Sequence, residues 1–135
     1  MKTVYYFILQ LIFFLGGCTE TLDRNLGGNY LLTGYGINTE ILKHYDGGGD
    51  DEILLGEIVD YSYNDNYILV YREISDKVMQ QFGDHSNSEI MRGGDSIQYW
   101  IIEKQNDNLI GPLKRNEYLL KRKELNIPNS LQLVK

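Results

Sequence analysis

Residues 96–104, Ser-Ile-Gln-Tyr-Trp-Ile-Ile-Glu-Lys, carry large apolar side chains at consecutive positions. Side chains alternate across an extended chain, so Ile97, Tyr99 and Ile101 point one way and Trp100 and Ile102 the other. A strand of this kind needs cover on both faces, which predicts a central strand in a layered domain. The segments around it read as its neighbours. Residues 29–33 predict a first strand, and residues 37–45 a second after Gly34-Tyr35-Gly36. The glycine-rich stretch Asp46-Gly47-Gly48-Gly49-Asp50-Asp51 then reads as a flexible turn.

Residues 53–63 and 67–73 flank Asn64-Asp65-Asn66 and predict a hairpin. A three-residue loop sets Tyr63 opposite Tyr67, Tyr61 opposite Leu69 and Val59 opposite Tyr71. A two-residue loop at Asp65-Asn66 instead pairs Ser62 with Leu69 and Asp60 with Tyr71. The first register is preferred because it gives one face a continuous apolar set. Residues 74–95 read as a long loop with a helical turn at 78–82. Residues 109–111 predict a short return strand ending at Pro112, which has no N–H for a ladder. Residues 114–126 then favour helix, closed by Pro128. Leu113, Leu120 and Ile127 form one apolar stripe there and Tyr118 with Leu125 another, while Lys114 and Arg115 oppose the helix dipole.

The N-terminus carries Lys2 and then twelve residues, 4–15, that are apolar or aromatic except Gln10. That is the length of a signal-peptide core and short of the roughly 20 residues that span a bilayer. Leu15-Gly16-Gly17-Cys18 follows and resembles the lipobox of bacterial lipoproteins. The resemblance implies cleavage between Gly17 and Cys18, with Cys18 acylated and anchored in the bilayer. An uncleaved N-terminal helix, or an ordinary secretory signal with a buried free cysteine, are the alternatives. Two acyl chains hold a protein where one is marginal, each buried methylene contributing about 0.8 kcal/mol. The expected organisation is a signal peptide at 1–17, a lipidated tether at 18–28 and one globular domain at 29–135.

The lipobox, the Tyr-rich hairpin around Asn64-Asp65-Asn66, Tyr99-Trp100-Ile101-Ile102-Glu103-Lys104, Ile110-Gly111-Pro112-Leu113 and a terminal helix together resemble a family of small uncharacterised bacterial lipoproteins. The resemblance covers most of the chain after the leader and implies an anchor and a fold, with no assigned activity.

Composition narrows the function classes. Without its leader the chain has 118 residues and a net charge of −7, too acidic for nucleic acid as a partner. Cys18 is the only cysteine, so disulfides within the chain, CxxC redox chemistry and thiolate metal sites are excluded together. Asp46 to Glu52 sets four acids beside three glycines, but not at EF-hand spacing, and reads as a solvated turn rather than a calcium site. Asp84-His85-Ser86 holds the residue types of a hydrolase triad, yet sequence neighbours cannot aim at one another in those roles. His44 and His85 have no paired metal-ligand spacing. Tyr61, Tyr63, Tyr67, Tyr71, Tyr99 and Trp100 suit a sheet core better than a binding platform.

Charge is uneven along the chain. Residues 44–71 hold seven acids and no lysine or arginine, and residues 114–123 hold five basic residues and one acid. The sequence therefore predicts an α+β domain, mainly an antiparallel sheet of five to six strands with a C-terminal helix, on the extracytoplasmic side of a bacterial membrane. The expected function is non-enzymatic, without metal or cofactor. It is the binding of another macromolecule, with an envelope protein as the candidate partner and Asp50, Asp51 and Glu52 as candidate contact residues. The alternative is an immunity-type inhibitor of an exported toxin or envelope hydrolase.

Overall fold

The computed structural model describes residues 23–34, 38–75 and 96–134. Within them the order is β1 (Arg24–Gly27), β2 (Tyr30–Thr33), β3 (Glu40–His44), β4 (Asp50–Leu55), β5 (Ile58–Tyr63), β6 (Tyr67–Glu73), β7 (Ile97–Glu103), β8 (Asn108–Leu113) and one helix, α1 (Arg115–Glu124). The class is α+β and mainly antiparallel, as expected. The eight strands, however, make two four-stranded meanders, β1-β2-β3-β4 and β5-β6-β7-β8, rather than one sheet of five or six. Residues 1–22 with Gly17 and Cys18, Tyr35-Gly36-Ile37, the expected helical turn at 78–82 and Asp84-His85-Ser86 lie outside the described residues.

The fold has three layers with the second sheet in the middle. Leu26, Tyr30, Leu32 and Ile41 from the first sheet meet Ile68, Val70, Trp100 and Ile102 from the second. On the other face of the second sheet Leu69, Tyr71, Tyr99 and Ile101 meet Tyr118, Ile127 and Leu131 from the C-terminal segment. This double cover is what the two-faced apolar pattern of residues 96–104 requires. The Tyr71, Tyr99 and Tyr118 rings follow one another at 5.2 Å and 4.9 Å between centroids, separations at which aromatic pairs attract.

The structure departs from the sequence expectation in five places. β1 lies inside the stretch read as a tether. Its Leu26 is fully buried in the core between the sheets, and one apolar residue in four gives too little periodicity to announce a strand. Residues 53–63 are two strands in different sheets. The chain turns the corner at Gly56 and Glu57, with φ of 73° and 33°, and the buried Arg72 donates from Nε to the Gly56 carbonyl at 3.1 Å. The hairpin adopts the two-residue register, pairing Tyr61 with Val70, Ser62 with Leu69 and Asp60 with Tyr71. The single-face argument fails because β6 is buried on both sides. The turn itself also favours a short loop, since Asn64 Oδ1 accepts from the N–H groups of Asn66 and Tyr67, each at 2.9 Å.

β8 continues through Pro112 to Leu113. It is an edge strand, and its register with β7 shifts between Tyr99 and Ile101, so the missing N–H costs no ladder bond there. Finally, α1 buries Tyr118 and leaves Leu120 66% exposed, so of the stripe Leu113, Leu120 and Ile127 only the two residues that flank the helix pack. The Lys114 N–H donates to Glu117 Oε2 at 2.8 Å, which satisfies one orphan donor and offsets the adverse charge at the helix start. Asn126, at φ 53°, closes the helix with two bonds, Asn126 N–H to Lys123 O and Ile127 N–H to Arg122 O.

Gly111 lies flat against the indole: a Cβ there would sit 2.4 Å from a Trp100 ring carbon, at a backbone φ of 150°. Gly111→Ala is expected to cost about 1–3 kcal/mol through overpacking. Tyr118→Ala should cost on the order of 3 kcal/mol, and Leu120→Ala under about 0.5 kcal/mol. Urea unfolding midpoints check all three, and a larger loss for Leu120→Ala than for Tyr118→Ala would refute the helix orientation.

Candidate functional site

The three acids singled out in the sequence lie side by side on β4, an edge strand of the first sheet. Asp50 pairs with His44, Asp51 with Lys43 and Glu52 with Leu42 across the ladder to β3. The tight connection before them uses Gly47, Gly48 and Gly49 at φ between 90° and 133°, which other residues rarely adopt. His44 Nδ1 lies 2.6 Å from Asp50 Oδ1, both side chains exposed. Asp50 is therefore partly neutralised when His44 is protonated. Partial burial and a hydrogen bond to the Asp51 carboxylate push the Tyr45 phenol up. Charged edges also keep a strand from pairing with other chains, and that is the plainest role for these acids.

Next to this edge is a network that sequence reasoning missed. The Lys43 side chain is buried, and its ammonium forms an ion pair with Asp107 in the β7–β8 turn. It also lies 5.5 Å and 5.1 Å from the ring centroids of Tyr30 and Tyr45. The Tyr30 hydroxyl donates to the other Asp107 oxygen at 3.1 Å. Burial first, then this bond, moves the Tyr30 phenol far above its usual range. The hydrogen bond from Lys43 holds the Asp107 carboxyl below its usual range. The partners are 64 residues apart, so no local pattern marks them. Asp107 is at φ 52°, a conformation that aspartate tolerates better than most residues.

At the end of the sandwich where the β1–β2 and β5–β6 turns meet, a cleft of ≈ 380 Å³ opens between Leu26, Gly27, Gly28, Tyr63, Asn64, Asp65 and Lys104. Lys104 donates to the carbonyls of Leu26 and Asn64 and so joins the two sheets. Its stem runs across Gly28, where a Cβ would sit 3.3 Å from Lys104 Cδ. Desolvation lowers the ammonium, only partly opposed by Asp65.

The core reading of the six aromatic residues holds for three of them, while Tyr61 and Tyr67 are half-buried and Tyr63 is exposed. Tyr71, Tyr99 and Trp100 are buried, and Trp100 Nε1 donates to Gln98 Oε1 at 3.1 Å. Only Tyr63 of the group is exposed, stacked on Tyr61 beside the cleft. Burial and the Glu73 carboxylate, which accepts its hydrogen bond, push the Tyr71 phenol up to about 12. Arg72, held down to about 10 by burial, is still cationic at neutral pH. Among the described residues no group of three or more His, Cys, Asp or Glu side chains converges on a metal position. No described helix is long and apolar enough to cross a membrane.

A family model for a protein of unknown function, DUF3997, matches residues 27–135. The chain belongs to the DUF3997 family. The match begins at the last residue of β1 and takes in every later strand, the cleft lining except Leu26, and α1 of this DUF3997 protein. No curated protein and no solved structure matches the chain.

The depressed Asp107 carboxyl gives a pH signature. A folded value below the unfolded one contributes stability that is present above about pH 4 and is lost as pH falls through the folded value. Asp107→Asn keeps the left-handed backbone, removes the charge, and is expected to cost about 1–3 kcal/mol at pH 7. The gap to the parent protein should close as pH falls below the ordinary carboxylate range. Denaturant unfolding from pH 7 to pH 2.5 checks this, and a gap that is constant with pH would show that Asp107 acts through shape alone.

Proposed function

We propose that this DUF3997 protein is a lipid-anchored bacterial envelope protein, held in the bilayer through acylated Cys18, which binds a basic surface of another envelope protein through Asp50, Asp51 and Glu52. The observation that carries this reading is the separation of charge by the layers of the fold. The acids stand on the edge of the first sheet, while Lys121, Arg122 and Lys123 stand in the last turn of α1, beyond the second sheet. A molecule polarised in this way is attracted to a basic surface and oriented by it before contact, which raises association rates in a salt-dependent manner. Recognition by charge needs no catalytic set, cofactor or nucleic acid. An inhibitor of an exported toxin or envelope hydrolase is the narrower form of the same reading.

Two measurements test it. Cys18→Ser is expected to move the protein from the membrane fraction to the soluble fraction of fractionated cells; retention in the membrane would end the lipid-anchor reading. The intact protein, immobilised in detergent, is expected to retain one envelope protein at low salt and release it at high salt. Reversing Asp50, Asp51 and Glu52 to lysine should slow that association about tenfold or more at low ionic strength. An unchanged association rate would remove β4 from the interface.

A further inference from the structure

This fold draws two lysines out of water and compensates them differently. Lys43, 7% exposed, has a carboxylate against its ammonium in Asp107. Lys104, 8% exposed, has two backbone carbonyls and the Tyr63 ring at 5.5 Å. Among the described residues no carboxylate lies within ion-pair distance of it. Carbonyl oxygens orient an ammonium without cancelling its charge, and a buried cation without a counter-ion is costly. An ammonium also has three N–H donors, and the two carbonyls take two of them.

Lys104 is at the same time part of the lining of the cleft of ≈ 380 Å³ between the two turns. That volume falls within the range of small-molecule sites. Gly27 and Gly28, at φ of 79° and 61°, let the Lys104 side chain lie close over their backbone, with a Cβ at Gly27 falling 3.1 Å from its ammonium and one at Gly28 3.3 Å from its stem. Tyr63, 39% exposed, supplies an aromatic wall. Asp65 on the rim sets a limit on charge. With one lysine opposed by one aspartate, a dianion is disfavoured.

We propose that this cleft binds a small monocarboxylate, whose oxygen takes the remaining Lys104 N–H and whose body lies in the cleft beside the Lys104 stem and Tyr63. The proposal is independent of the acidic β4 edge. It makes Lys104 both the clamp that joins the sheets and the counter-charge for a ligand. Binding and the closeness of the two turns are then linked, because the same ammonium serves both.

The test is an amide NMR titration of the ¹⁵N-labelled full-length protein in detergent with sodium N-acetylglycinate, against sodium chloride at matched ionic strength. The expected result is saturable shifts concentrated at Gly27, Gly28, Asn64 and Asp65. The dissociation constant should rise at least about tenfold in Lys104→Met, and fall about threefold in Asp65→Asn as the opposing charge is removed. If Lys104→Met does not fold, Asp65→Asn decides, since that side chain is exposed and off the core. Shifts that grow linearly and match those with chloride, or an Asp65→Asn constant equal to or weaker than the parent's, would overturn the proposal. Inorganic phosphate binding more tightly than the carboxylate would overturn the ligand class.

Discussion

Burial of β6 and β7 on both faces is the constraint from which the other layers follow. Ile68, Val70, Trp100 and Ile102 on one side, with Leu69, Tyr71, Tyr99 and Ile101 on the other, leave the second sheet no face to offer to water. Two partners of different kinds are recruited, a sheet and a helical C-terminal segment. The segment is held by polar contacts as well as by packing. Tyr67 donates its hydroxyl to the Leu125 carbonyl at 3.0 Å, Arg122 reaches the carbonyls of Pro128 and Leu131, and the Val134 N–H reaches Asp60 at 2.6 Å. A helix of ten residues is marginal on its own, so these contacts give it a fixed seat.

Charge inside the fold is placed where layers must be joined. Arg72 braces the corner between the sheets at Gly56, Lys43 ties the first sheet to the β7–β8 turn through Asp107, and Lys104 ties the end of β1 to the β5–β6 turn. Each is a long cation whose stem packs against apolar neighbours while its head meets oxygen. A chain without internal disulfides has its layers cross-linked by side chains of this kind instead.

Features written in short-range pattern were legible in the sequence. The double-faced β7 could be read from alternation alone, and so could the terminal helix from propensity and Pro128. The acidic group Asp50, Asp51 and Glu52, by contrast, reads as a solvated turn, whereas the structure places all three on the edge strand β4. Features set by partners distant in sequence were not legible. The break at Gly56 depends on Arg72 arriving 16 residues later. The hairpin register depended on knowing that β6 has two cores and that Asn64 closes its own turn. Leu120 and Tyr118 have similar claims on a helical wheel, and the aromatic stack through Tyr99 decides between them. Lys104 reads as the end of a strand, because its two acceptors come from β1 and from the β5–β6 turn, 78 and 40 residues earlier.

The corner at Gly56 and Glu57 divides the chain into two meanders, each pairing its strands in sequence order. Every ladder contact is therefore made within one half, and loop closure is inexpensive in each. The halves are not equal during synthesis. The N-terminal meander emerges first with Leu26, Tyr30, Leu32 and Ile41 along one face and nothing yet to cover them. Until residues 67–103 follow, that face has no cover, and the charged β4 edge disfavours pairing with other chains.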